Sequence, residues 1–372
     1  MSSRLTIVSK KHLTLKPWSA QSPTLFQVSD YITKVVWSPN GEYLAACSAG
    51  GDLYLWSATP RHVSSEPLRL RPPQENSAIT TVAFSCNSAF LAATGQAGEV
   101  YLWSLAESSA SPLPPLALNA SSWIDQLSWS PCSLHLAFSI GSVISVWDFQ
   151  PPEPTLVAQL DFEASSVLNL AWHPQGKELA ISGHGGVKVW ETSTWTSNPY
   201  LLQVPGASIS AAWSGDGTYL ASGNLDRTLS VLAWENPPPW LMQGFPGKVR
   251  EVLWVPQNVT PKRLLAVACA EGVILWEKPP QDNASWQNWI LNGHRGTVRA
   301  LAFHPQELLL TSAGDDGQVY LWHKACQQCQ VLTGNAAITD LVWHPQGEML
   351  IAGTESGELL LWVRSAQGKG FY

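Results

Sequence analysis

The polar and apolar positions of this chain follow one short pattern, rewritten eight times. The stretch "LVWHPQGEMLIAGTESGELLLW", Leu341 to Trp362, has a near copy at 170–190, "LAWHPQGKELAISGHGGVKVW". Apolar residues alternate with others in "ITKVVW" and again in "DLYLW", the period-two signature of β-strands. Between such runs stand Pro-Asn-Gly, Pro-Gln-Gly or Gly-Asp-Gly. These predict tight turns, because Pro presets φ and Gly tolerates φ > 0. A second Gly-rich turn ("SAGGD", "GHGG", "GDDG") separates the second strand from the third. A weaker strand precedes each unit or follows its predecessor: "TLFQV", "PLRL", "PLAL", "TLVAQL", "YLLQV", "PWLMQ", "NWIL", "CQVL". The pattern predicts four strands per unit. Helix is excluded almost throughout, since Pro and Gly recur every few residues.

Bulky rings recur at two fixed places. The first strand ends in Trp37, Phe84, Trp129, Trp172, Trp213, Trp254, Phe303 and Trp343. The third ends in Trp56, Trp103, Trp147, Trp190, Trp234, Trp276, Trp322 and Trp362, at successive intervals of 47, 44, 43, 44, 42, 46 and 40 residues. A period in the forties belongs to four-stranded propeller blades rather than to two-helix repeats. One such sheet cannot bury both its faces alone; stacked around an axis, each packs on two neighbours and the rings fill the wedge between them. In the fifth unit, "SGNLDRTLSVLAW", the spacing to Asp226 requires Leu232 at the third-strand slot, with Trp234 extending the strand.

These units resemble the WD-repeat family of β-propellers, over residues 24–364. The resemblance implies an all-β, closed propeller. Eight units give eight four-stranded blades; seven, the family's commonest number, would require one unit to be irregular. It also implies that the N-terminal strand at 24–28 pairs with the third strand of the last blade and seals the ring. The name-giving Trp-Asp pair occurs only as Trp147-Asp148. The seventh unit alone keeps the family's hydrogen-bonded tetrad, here His294, Ser312, Asp316 and Trp322. Elsewhere the Asp slot holds Gly50, Ala97, Gly141, His184, Ala270 or Ser356. Residues 1–23 are then an N-terminal extension and 365–372 a C-terminal tail.

Composition narrows the function more than it defines it. Hydrophobic residues make up 45% and charged residues 13%, ample for a core, and the net charge of −7 argues against a phosphate-neutralising surface. No nucleic-acid partner is expected. No stretch approaches the ~18 uninterrupted apolar residues of a membrane span, and the N-terminus lacks the apolar run of a signal peptide. Membrane insertion is therefore not expected. Six scattered cysteines suit a reducing, cytoplasmic setting better than a disulfide scaffold.

Candidate chemistry is sparse. "WHKACQQC" places His323 near Cys326 and Cys329, a spacing that can hold half a zinc site, but zinc wants four ligands and no second such motif exists. The second function reading is a metal-handling accessory protein that uses Cys326, Cys329 and nearby histidines; the plainer reading of the motif is a surface connection entering an outer strand. His173, His304 and His344 are turn residues of separate blades, and the equivalent turns of units two and three carry Cys86 and Cys132 by coincidence. No nucleotide-loop, hydrolase or metalloprotease motif is present. Catalytic residues, cofactor and resident metal are thus all expected to be absent, with a channel-site enzyme the remotest reading.

Protein docking is the leading expectation. Trp123 in "NASSWID" and Trp195 in "TSTWTSN" fall where loops cross the two faces, and exposed tryptophan is enriched at binding hot spots. Asp30, Glu75, Asp161 and Glu163, with Glu271, Asp315 and Glu355, fall in loops of one face. The chain reads as a scaffold or adaptor, monomeric by itself, that receives one or more proteins on a propeller face. The basic segment "RLTIVSKKHLTLKPW" reads as a tail or as a strand-like arm for a partner.

Overall fold

Eight antiparallel sheets follow one another along the chain in a computed structural model that describes residues 18–19, 24–73, 77–105, 111–116, 123–150, 153–163, 166–195, 198–234, 236–270, 272–281 and 284–364. Blades one to seven keep chain order from the first strand at the centre to the outer strand; blade four, for example, runs Asn169–Trp172, Glu178–Gly183, Gly186–Glu191, Tyr200–Leu202. The first strand of every blade touches that of the next all the way round, blade eight (Ile338–Trp343) meeting blade one (Ile32–Trp37). The architecture is an eight-bladed propeller.

Sealing uses the N-terminal residues. Thr24, Phe26 and Gln27 pair with Leu360, Leu359 and Glu358 of the last third strand. Trp18 and Ser19, upstream of the expected strand, pair with Arg364 and Val363 of the same strand. Trp18 is buried, with its ring 4.8 Å from that of Trp343, while its backbone N–H and C=O bond Gln330 of blade seven at 2.9 and 2.7 Å.

The core is divided as the wedge argument requires. Eight apolar clusters among the described residues each draw on two neighbouring blades. All eight first-strand aromatics are buried. Trp129, Trp172, Trp213 and Trp254 donate their indole N–H to Ala83, Ser128, Ala171 and Ala212, in each case the residue before the aromatic of the preceding blade, at 3.1–3.2 Å. Leu232 faces Leu220 as Trp322 faces Leu310, so it holds the third-strand slot; Trp234 lies just beyond the strand, against Trp213.

Two details depart from expectation. The outer strand of blade two is Ser111–Leu116 rather than "PLAL". Its prolines are tolerated there because an edge strand can turn positions without an N–H away from the ladder. In blade one the Asp slot is Gly50, yet Asp52 two residues on is fully buried and accepts from Ser29, from Ser48 at 3.3 Å and from Arg69 at 2.7 Å.

The turns between first and second strands form a belt that joins blades. His304 Nδ1 accepts from the backbone N–H groups of Gln306 and Glu307, which leaves Nε2–H to donate to Gly347 of blade eight at 2.9 Å. His344 repeats this with Gln346 and with Gly41 of blade one, at 3.1 Å. His173 stands in the same relation to Gly217 of blade five. Burial holds all three imidazoles below their usual pKa, so they serve as neutral clamps. The belt continues where histidine is absent: Cys86 bonds the carbonyl of Ser133 at 3.4 Å, and Cys132 lies against Gly176. These residues, read from sequence as isolated turn positions and coincidence, are contacts between blades.

Candidate docking face

Because strands alternate in direction, one face of the ring carries the connections between blades together with the second-to-third turns. The opposite face carries the first-to-second turns and the connections to outer strands. Trp123 is on the former and is 59% exposed. Its neighbour Ile124 is fully buried and donates its backbone N–H to Gly95 of blade two at 3.2 Å, so the indole projects from an anchored point. Tyr31 and Leu225 are exposed on the same face, and no repeat rule distinguishes them in the sequence.

The acidic candidates spread over this face. Asp30 is exposed and accepts from the Tyr31 N–H at 2.7 Å. Asp161 accepts from Ser142 and from the Glu163 N–H, and Glu163 pairs with Lys188 at 2.8 Å. Glu75 and Glu271 lie outside the described residues. Trp195, by contrast, is on the opposite face and partly buried, with its ring 6.1 Å from Trp172 and 6.5 Å from His135. That packing removes it from the candidate surface.

At the channel, each innermost strand is a sheet edge whose N–H groups need acceptors. In four blades the residue three before the first-strand aromatic supplies one to the next blade. Asn169, Ser210, Glu251 and Asp340 accept from the backbone N–H groups of Ala211, Val252, Leu301 and Val35 at 2.8–3.2 Å. The second Asp340 oxygen pairs with Lys34 at 3.0 Å. Burial pushes the Glu251 carboxyl up to about 7, an effect opposed by Lys34 and assisted by Asp340. A carboxyl raised on folding contributes stability that is full below its unfolded pKa and lost as pH rises towards 7. Glu251→Gln keeps an oxygen for the Leu301 N–H and carries no charge. It is expected to melt several degrees above wild type at about pH 8 and level with it at about pH 4.5. Thermal melts at both values check this, and a gain independent of pH refutes it.

The blade-seven tetrad is complete. His294 Nδ1 lies 3.1 Å from both Asp316 carboxylate oxygens, His294 Nε2 lies 2.8 Å from Ser312 Oγ, and Trp322 donates its indole N–H to that Oγ at 2.9 Å. Where the serine slot holds Ala46, Phe138 or Val267, the third-strand indoles of the same blades, Trp56, Trp147 and Trp276, have no acceptor among the described residues. A family model for the WD domain, G-beta repeat, matches residues 22–57, 67–104, 201–231, 286–323 and 326–362.

The chain is a WD-repeat propeller.

Among curated proteins, the propeller is 23% identical over 217 residues to Cell division cycle 20.1, cofactor of APC complex, from Arabidopsis thaliana, covering 56% of this chain and 46% of that one. It is 24% identical over 136 residues to THO complex subunit 3 of the same plant, covering 35% and 43%, and 24% identical over 191 residues to Protein HIR1 of Mycosarcoma maydis, covering 42% and 18%. The chain spans less than half the length of these relatives. Among solved structures, a crystal structure of the computationally designed Ika8 protein superposes with a TM-score of 0.71 at 19% identity, covering 93% of this chain and all of that one, a likeness of fold alone.

Cys326 and Cys329 do not converge. Cys326 packs against the cluster shared by blades six and seven, Cys329 against that of blades seven and eight. Burial raises both thiols and lowers His323, and Cys329 donates to the Leu321 carbonyl. No group of three His, Cys, Asp or Glu among the described residues is placed to hold a metal ion.

Proposed function

We propose that the propeller is a non-catalytic scaffold, monomeric by itself, that receives a partner protein on the face bearing Trp123. The observation that carries this reading is an exposed indole whose neighbour Ile124 is buried and hydrogen-bonded to blade two. Such a side chain offers a large contact area at little entropic cost, the usual profile of a hot spot. One of the relatives is named as a cofactor of a complex and another as a subunit of one. Three buried histidines serve as links between blades, which leaves their rings unsuited to acid–base work. All six cysteines are free thiols, which fits a cytoplasmic protein. Trp123→Ala is expected to weaken capture of a partner from the native cell by about 2 kcal/mol, roughly thirtyfold, with unchanged melting. Affinity purification with mass spectrometry checks it. Equal recovery of every co-purifying protein by wild type and variant counts against this face.

A further inference from the structure

The unpaired cations of the docking face gather on blades five to seven. Arg227 lies in the second-to-third turn of blade five, held at φ 68°. Lys248 and Arg250 lie in the connection from blade five to six, and Arg295 in that from six to seven. These loops are joined: the Val249 N–H bonds the Asn224 carbonyl, Arg250 N–H that of Ala268, and Val298 N–H that of Ala270, at 2.9–3.1 Å. Arg227, Arg250 and Arg295 are exposed, and none of the four cations forms an ion pair among the described residues. Arg299, in blade seven, occupies the same position relative to its first-strand aromatic as Arg250 does in blade six, and shows what such a residue does with a carboxylate at hand. It pairs with Asp315 and, at 3.7 Å, with Glu355.

Within the arc Asp226 stands beside Arg227 and accepts from Thr228 at 2.7 Å, while over blades eight, one and three exposed carboxylates prevail. Glu355, Asp30, Asp125 and Asp161 follow round blades eight, one and three, with Glu163 in the connection to blade four. In a chain of net charge −7, four unpaired cations on three successive blades are a local excess against the general trend.

We infer that the arc formed by Arg227, Lys248, Arg250 and Arg295 binds an acidic peptide segment of the partner. This deepens the docking-face reading and rests on it. Carboxylates lying across the arc would supply the partners that Arg299 finds within the chain, and Leu225, 46% exposed beside Arg227, would receive an apolar residue of the same segment. A peptide is favoured over a nucleic acid because the arc covers only part of the ring. A longer polyanion following the face would run onto the carboxylates of blades eight, one and three.

The test is fluorescence anisotropy with the full chain and a short labelled peptide rich in Asp and Glu around one leucine, beside the same peptide with Asn and Gln in their place. The acidic peptide is expected to bind, the neutral one not, and added salt to weaken binding. Arg250→Glu and Arg295→Glu, made separately so that one variant that fails to fold leaves the other to read, should each cost about tenfold or more in Kd. Lys177→Glu, an exposed lysine on the opposite face, should leave the Kd unchanged. Equal binding of the two peptides, or unaltered Kd in both arc variants, overturns the inference. Tighter binding of a single-stranded DNA oligonucleotide with the same arginine dependence overturns the peptide assignment. Should Trp123→Ala still lose the partner while arc variants keep the peptide affinity, the docking face stands and the arc falls.

Discussion

Removal of residues 1–28 is expected to abolish the folded state. The deletion takes away both segments that pair with the last third strand, Trp18–Ser19 and Thr24–Gln27, together with Val28, whose N–H bonds the Gly357 carbonyl at 2.9 Å. It strips the outer edge of blade eight, leaving an apolar strand, "ELLLWVR", with unpaired backbone groups, a template for aggregation. Trp18 alone fills the space beside Trp343 and His304 and carries the Arg364 guanidinium over its ring. Trp18→Ala should cost about 3–5 kcal/mol by loss of that packing, against a total of about 5–15 for a typical domain. Loss of the remaining pairs removes most of what is left. Size-exclusion chromatography and a thermal melt of the truncated chain check this. A monomeric product that melts like the full chain would refute closure by these strands.

The sequence discloses what each blade does alone and hides much of what blades do to each other. Strands, turns and the two ring series were legible because each is written locally, within a few residues, and repeated. Spacing placed Leu232 in the Trp slot because strand parity leaves few registers open. The tetrad was legible since its four residues sit in a single blade. The outer strand of blade two was misplaced because alternation in "SPLPPLAL" is obscured by proline. The acceptors at Asn169, Ser210, Glu251 and Asp340 share no residue type; only their common distance from the following aromatic unites them. Asp52 escaped notice because it stands two residues from the position where a carboxylate is expected. For the site, the sequence indicated that Trp123 and Trp195 were loop tryptophans, but their burial depends on whether a neighbouring blade offers a cavity. Trp172 and His135 offer one to Trp195. The basic arc was equally hidden, since its members come from three blades and are diluted in an acidic chain.

Gly217→Ala is expected to cost about 2–4 kcal/mol, and the cost should fall when His173 is replaced as well. Two effects combine. Gly217 has φ +74°, where a Cβ costs roughly 1–2 kcal/mol, and a Cβ there would stand 1.9 Å from His173 Nε2, so the buried ring must be displaced at about 1–3 kcal/mol. The ring cannot simply swing away, because Nδ1 accepts from the Gln175 N–H and the Trp213 indole lies edge-on at 4.9 Å. His173→Ser is a substitution the fold already uses, since Ser38, Ser85, Ser130 and Ser214 hold the same slot in blades one, two, three and five. The double variant should recover the steric part of the loss and keep the conformational part, giving a coupling of about 1–2 kcal/mol in a double-mutant cycle. Denaturant unfolding of the four proteins measures it. Additive losses would mean that His173 and Gly217 do not share the space between blades four and five, and the belt of first turns would then be a set of separate turns rather than the contact that keeps neighbouring blades in register.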